Sequence, residues 1–228
     1  VKVVRVTDDP GFCLPRARNL GAVACHATWI CFIDADIRVG DGLVAWMRKH
    51  ARERHFYRQA PVDGVRDFEA YGTVLCPRRA FRSVEGYDEV FTGWGGEDDD
   101  LYDRLSITGL VTGHYPAELV DPISHDDSER MAFHEIKQKD LQHCINSFYR
   151  TAKLQVMGFH GLRTELSLPV RKELRDAVVT AVMEWGGDED KPFPKINFQL
   201  QSVGWMPPPY RLVSKTRLFL TMDNPEQA

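Results

Sequence analysis

The stretch Thr28-Trp29-Ile30-Cys31-Phe32-Ile33-Asp34-Ala35-Asp36 decides the fold. Its first six residues are a continuous apolar run without a charge. A half-exposed strand would alternate, so this run reads as a strand buried on both faces. It stops abruptly on two carboxylates. Open α/β sheets bind ligands beyond the carboxyl ends of their strands, which is where Asp34 and Asp36 stand. Two carboxylates at that spacing suit a divalent cation that also holds phosphate oxygens. A plain polar turn closing the strand is the other reading, and the pair alone does not choose between them.

Upstream, Val1 to Val6 alternates weakly and reads as a strand, followed by turn chemistry in Asp8-Asp9-Pro10-Gly11. Pro15 suits a first helical position, and Ala17, Leu20, Gly21 and Ala24 recur at helical spacing. Downstream, Asp41 is placed to cap a helix over Gly42 to Glu53. Residues 56 to 69 are polar and irregular. Tyr71 to Cys76 reads as a strand, Pro77 to Val84 as a short helix, and Gly93 to Gly96 as a loop. Glu97 opens a helix carrying Leu101, Leu105 and Ile107 that stops at Gly109, and Leu110 to Tyr115 is a further strand. Strands alternating with helices through about residue 125 predict an α/β domain with a mostly parallel sheet.

Beyond residue 127 the pattern changes. Ser128 to Lys153 reads as a long amphipathic helix, and a second runs from Ser167-Leu168-Pro169 to Gly186-Gly187. Ile196 to Val203 and Tyr210 to Thr221 alternate like two strands joined through Pro207-Pro208-Pro209. The organisation expected is therefore a core over residues 1–127 and a C-terminal α+β extension over 128–228.

Composition excludes more than it assigns. The net charge of −4 leaves no basic footprint for nucleic acid. No apolar run approaches the length of a transmembrane helix, and no signal-peptide pattern opens the chain. The five cysteines are odd in number and form no C-x-x-C pair, which suits reduced thiols and a cytoplasmic setting. The sequence begins inside a strand-like run, so an upstream segment is expected.

Three further features carry chemistry. In Gly93-Trp94-Gly95-Gly96-Glu97-Asp98-Asp99-Asp100, four consecutive acids follow three glycines and a tryptophan. A helix N-terminus relieves part of their mutual repulsion, so an over-capped helix start is one reading. The other is a sugar site, with an aromatic face for C–H groups, carboxylates for hydroxyls, and one acid as general base. His125, in Pro122-Ile123-Ser124-His125-Asp126-Asp127, is either an exposed histidine or a third ligand beside Asp34 and Asp36. A mixed oxygen and imidazole set suits manganese better than calcium. Finally, Arg16-Ala17-Arg18-Asn19-Leu20-Gly21 puts arginines in a first helical turn, where the dipole prefers acids. They face either solvent or a pyrophosphate.

Together these residues resemble a known family. Arg16-Ala17-Arg18-Asn19-Leu20-Gly21-Ala22, a strand, then Asp34-Ala35-Asp36 resembles inverting glycosyltransferases of the GT-A (Rossmann-like) fold. Tyr71-Gly72 through Glu85-Gly86-Tyr87-Asp88, followed by Gly93 to Asp100, is similar to the C-terminal signature of lactose-synthase type galactosyltransferases. Bacterial glycosaminoglycan-type polymerases share that signature. The resemblance covers about residues 1 to 130.

The resemblance implies a metal-dependent transferase that moves galactose or an N-acetylhexosamine from a UDP-sugar to a glycan acceptor. It implies Asp98 as the catalytic base, and Asp34, Asp36 and His125 around Mn2+, with Mg2+ as a second candidate. It places Arg18, Asn19, Asp34 and Gly72 toward the donor, and Trp94, Gly95, Glu97 and Asp99 toward the acceptor. The family's first β–α unit, which builds the uridine pocket, has no counterpart here. That departure keeps an alternative open: a degenerate, non-catalytic carbohydrate-binding protein of glycosyltransferase ancestry.

Overall fold

The structure, a computed structural model, describes residues 3–7, 11–124, 134–159, 161, 165–188 and 190–223. Two compact units divide the chain, Val1–Lys137 and Gln138–Ala228.

The first unit opens with α1 (Leu14–Ala24), which has Pro15 in its first turn, and β1 (Trp29–Phe32) follows. Next come β2 (Ile37–Val39), α2 (Leu43–His50), β3 (His55–Gln59), β4 (Val74–Pro77) and α3 (Arg78–Ser83). It closes with α4 (Glu97–Ile107), β5 (Val111–Tyr115), a 3-10 turn and β6 (Val120–Pro122). The main sheet has the order β1-β4-β3-β5, and β2 pairs with β6 in a small second sheet.

The α/β class holds, and the strand directions refine the expectation of a mostly parallel sheet. β3 and β5 are parallel, while β4 is antiparallel to both β1 and β3. Three strands thus share a direction and β4 alone opposes them. Because β4 lies between β1 and β3, it still makes two of the three ladders antiparallel.

Alternation along these strands feeds two cores. Ile30, Phe32, Phe56, Val74 and Cys76 face one side, where Phe81, Leu101 and Leu105 of α3 and α4 cover them. Tyr57 and Leu75 face the other, packed with Leu43 of α2, Tyr115 and, partly buried, Trp29 and Trp46. A sheet buried on both faces needs no polar alternation, which explains the apolar run that ends at Asp34.

Three local expectations change. Residues 3–7 form no strand, and no described strand pairs with them to satisfy their backbone groups. His55–Gln59, within a stretch read as irregular, is a central strand. Its polar residues concealed it, although Phe56 and Tyr57 favour a pleated surface. α2 starts at Leu43 with Gly42 as its N-cap and no side-chain cap, so Asp41 does not cap it.

The second unit holds α5 (Lys139–Phe159), α6 (Leu168–Trp185), and a hairpin of β7 (Lys195–Gly204) and β8 (Leu212–Thr221). The helix read from Ser128 is described from Lys139 onward. Gly186 ends α6 with φ at 67°, a left-handed C-cap that glycine adopts without strain. A buried ion pair joins Lys153 Nζ and Glu165 Oε1 at 3.2 Å.

Candidate active site

The site forms where β1 ends, α1 begins and α4 begins. Gly93, Gly95 and Gly96 all have positive φ, at 80°, 82° and 90°. These left-handed turns suit glycine, and they swing the chain so that Glu97 starts α4 beside β1. The four acids are then sorted by burial and partner. Asp100 is fully buried and binds Arg104, with Oδ2 accepting from Nε at 2.8 Å and from Nη2 at 2.5 Å. Arg104 also donates to the carbonyls of Val84 and Gly86, so this pair fastens the preceding loop and is structural.

Asp98 points to the opposite, chemically varied side. Its Oδ1 accepts from Arg18 Nη1 at 2.8 Å and from the Tyr87 hydroxyl at 3.1 Å. The same guanidinium donates through Nη2 to Asp34 Oδ1 at 2.7 Å and lies 3.5 Å from Glu97 Oε1. It also rests over the Tyr87 ring, 4.9 Å from its centroid. The Arg18 side chain is only 7% exposed. Arg18, the fifth residue of α1, is thus matched by three carboxylates from other elements.

Gly72 closes one wall. A Cβ there would come within 2.5 Å of Asp34 Oδ2, 2.6 Å of Arg18 Nη2 and 3.2 Å of Asp98 Oδ2. The backbone at this position therefore lies directly against the charged cluster, where only glycine fits. Asn19 is engaged locally: its amide nitrogen donates to the Tyr87 carbonyl and to Glu89 Oε1, and its oxygen accepts from Tyr87 N. It secures the loop that presents Tyr87.

Asp99 is braced by Tyr71, which donates its hydroxyl to Asp99 Oδ1. The Arg58 guanidinium lies over both the Tyr71 and Tyr102 rings, at 4.2 and 4.1 Å. Tyr102 in turn donates to the Tyr71 carbonyl at 2.7 Å. Trp94 and Gly95 lie half-buried in the glycine loop. Arg58 and Tyr102 were not singled out from sequence, and Tyr71 and Tyr87, quoted within a motif, were given no role. Arg58 sits in the missed strand β3, and isolated aromatics announce no role.

Asp36 follows on the next turn. β6 reaches it through Ile123, whose amide donates to the Asp36 carbonyl at 2.7 Å. That anchor lies two residues before His125, which itself falls outside the described residues. Among the described residues no three acid, histidine or cysteine side chains converge as a complete metal set. Asp34 and Asp36 offer the hard oxygen donors that a manganese or magnesium ion takes, so the donor chemistry fits such an ion.

Electrostatics favour shared protons here. Burial raises the Glu97 carboxyl to about 8; the Asp98 charge adds to the rise and Arg18 opposes it. Burial also raises Asp98, with Arg18 as the main opposing influence, Asp34 pushing further up, and the Tyr87 hydrogen bond pulling down. Two cavities of about 540 and 780 Å³ run along α3 and are lined by Arg78 and Arg82; neither is lined by Asp34, Glu97 or Asp98. Arg18 instead closes the acid cluster upon itself.

Comparison with known proteins agrees with the motifs. Residues 54–127 match the family model described as the N-terminal domain of galactosyltransferase. Beta-1,4-galactosyltransferase 2 of Cricetulus griseus is 27% identical over 143 residues, 54% of this chain and 36% of that protein. Beta-1,4-galactosyltransferase 1 of Bos taurus is 41% identical over 39 residues, 17% of this chain and 10% of that protein. The chain thus spans well under half the length of these curated relatives. Among solved structures, a Drosophila beta1,4-galactosyltransferase 7 mutant in complex with manganese, UDP-Gal and xylobiose has a TM-score of 0.44 and 17% identity, covering 58% of this chain and 60% of that one. Over residues 54–127, which include the Gly93 to Asp100 motif, the chain is similar to galactosyltransferases. No described helix is long and apolar enough to cross a membrane.

Proposed function

We propose that the chain is a metal-dependent inverting glycosyltransferase that moves galactose or an N-acetylhexosamine from a UDP-sugar to a glycan hydroxyl. The observation that carries this reading is Asp98, gathered with Asp34, Arg18, Tyr87 and the Gly72 backbone from five separate segments. The galactosyltransferase family match over the segment that includes Gly72 and Asp98 supports it.

Asp98 accepts the proton of the acceptor hydroxyl as that oxygen attacks the anomeric carbon. A carboxylate raised by burial is a better base than one in water, and Arg18 keeps it ionised enough to act. Glu97, raised to about 8, stays protonated near neutrality and offers the acceptor a hydrogen bond rather than a repulsive charge. Asp99, braced by Tyr71, and Trp94 hold the acceptor sugar. Arg18 and Gly72 border the donor, while Asn19 acts on that side through the Tyr87 loop. Asp36 and Asp34, with His125, would hold a divalent ion, which when bound would supply Lewis-acid neutralisation of the diphosphate leaving group. A cytoplasmic setting, with five free thiols, belongs to the same proposal.

Calorimetric titration of UDP with and without Mn2+, followed by a transfer assay on UDP-sugars, tests the reading. Manganese-dependent UDP binding with inverted product is expected, and no UDP binding under either condition overturns it. The alternative, a carbohydrate-binding protein without catalysis, draws support from the Arg18 ion pair that occupies Asp34. It predicts glycan binding without UDP binding.

A further inference from the structure

The β7–β8 hairpin outgrows what it packs against. Ile196, Phe198, Leu200 and Leu218 are buried, but residues 201–203, 205–212, 214 and 215 are all exposed. The ladder continues beyond Leu200↔Thr216 through four further pairs to Gly204↔Leu212. At about 3.3 Å per residue this projects roughly 13 Å past the last buried side chain. A two-stranded ribbon without a covered face is marginal in water.

What the projection displays is apolar and aromatic. Trp205 is 84% exposed and Tyr210 70%, with Val203, Met206 and Leu212 beside them and Pro207-Pro208-Pro209 at the turn. On the face turned away from the buried one, register sets Lys215 across from Gln201, Arg217 across from Gln199, and Phe219 across from Asn197. The whole segment 195–221 carries Lys195, Arg211, Lys215 and Arg217 and no acid, within a chain of net charge −4. Among the described residues, none of these four makes an ion pair, and all are exposed.

We propose that the β7–β8 tip docks into an anionic lipid surface. Tryptophan and tyrosine favour the headgroup level, where an apolar ring and a polar edge are both satisfied. Arginine and lysine just behind such a tip meet the negative potential of the surface. A protein partner would explain the apolar tip equally well, but the acid-free basic collar selects a polyanionic surface. Docking here is independent of the transferase reading.

Co-sedimentation of the full chain with vesicles tests it, using phosphatidylcholine alone and phosphatidylcholine with phosphatidylserine. Binding is expected only to the anionic vesicles. The triple change Arg211→Ser, Lys215→Ser, Arg217→Ser should weaken it on the order of 100-fold, and added salt should do likewise. Trp205→Ser with Tyr210→Ser should weaken it at unchanged charge. All five positions are exposed, and an unchanged unfolding midpoint checks that the fold survives. Equal binding to neutral vesicles, no vesicle binding, or undiminished binding by either variant overturns the proposal. Loss of glycan binding in the Trp205→Ser variant without any vesicle binding overturns it in favour of a sugar surface. None of these readouts depends on catalysis, so failure here and failure of the transferase assay remain distinct.

Discussion

Asp34 and Asp98 share one guanidinium: Arg18 Nη2 donates to Asp34 Oδ1 at 2.7 Å, and Arg18 Nη1 to Asp98 Oδ1 at 2.8 Å. Asp34, just past β1, and Asp98, at the start of α4, are thereby set at a fixed separation. Lysine carries the charge but cannot fork between two carboxylates. Arg18→Lys is therefore expected to keep the fold and lose turnover. Arg18→Met leaves three acids crowded together and should cost about 3–5 kcal/mol of stability, as for other broken buried pairs. Denaturant midpoints and transfer rates on both variants check this; an unaltered rate in the lysine variant would show that the tie does not matter for catalysis.

Asp98→Asn removes the carboxylate proposed as the base while keeping the shape and both hydrogen-bond neighbours. Turnover should fall by about two or more orders of magnitude. UDP affinity, measured by calorimetry, should stay within a few fold. A normal rate would take Asp98 out of the mechanism.

Gly72→Ala tests the close wall. The added Cβ meets Asp34 Oδ2 at 2.5 Å and Arg18 Nη2 at 2.6 Å, so the Arg18–Asp34 pair must separate. Activity should drop more than stability, because Asp34 is partly exposed and can move outward. Donor-side KM and the unfolding midpoint distinguish the two effects. A large midpoint fall with a normal specific activity would mark Gly72 as purely structural.

Much of this site was legible because chemistry was concentrated in short motifs. Asp34, Glu97, Asp98 and Arg18 each lay in a stretch that broke a local rule, and the structure brings them together. The order of their assembly was not legible. Four adjacent acids look alike in sequence, and only folding reveals that Asp100 turns inward to Arg104 while Asp98 turns to Arg18. Asn19 reads as a donor contact, yet its amide is committed to the Tyr87 backbone. Strand β3, with Arg58, was hidden because polar residues at the site's edge erased its periodicity. The direction of β4 was hidden too, since a fully buried strand carries no sign of which way it runs.

That sorting gives a contrasting prediction. Asp100→Asn should damage stability first, because Arg104 would keep its two carbonyl partners but lose its countercharge in the interior. A loss of about 3–5 kcal/mol is expected. Protein that remains folded at low temperature should retain transfer activity. If Asp100→Asn instead folds normally and loses turnover, Asp100 belongs to the reacting set.

Glu97 offers a pH test whose sign is fixed by burial. Its carboxyl rises from 4.5 to about 8 in the folded chain. Below about 4.5 both the folded and unfolded forms hold the proton, and the contribution is fully present. As pH rises further the unfolded chain ionises while the folded one keeps its proton, so stability falls until about pH 8. Asp98 is raised as well and pulls in the same direction. Glu97→Gln fixes the neutral form, so its unfolding midpoint should decline less between pH 5 and 8 and exceed the parent's at pH 8. Asp98 leaves a residual decline in that variant, whereas Glu97→Gln with Asp98→Asn should lose it, leaving only the rise toward pH 6.5 that the lowered His114 and His134 give. An unchanged slope in both would mean that the proton resides elsewhere in the cluster, and the hydrogen bond assigned to Glu97 in acceptor binding would go with it.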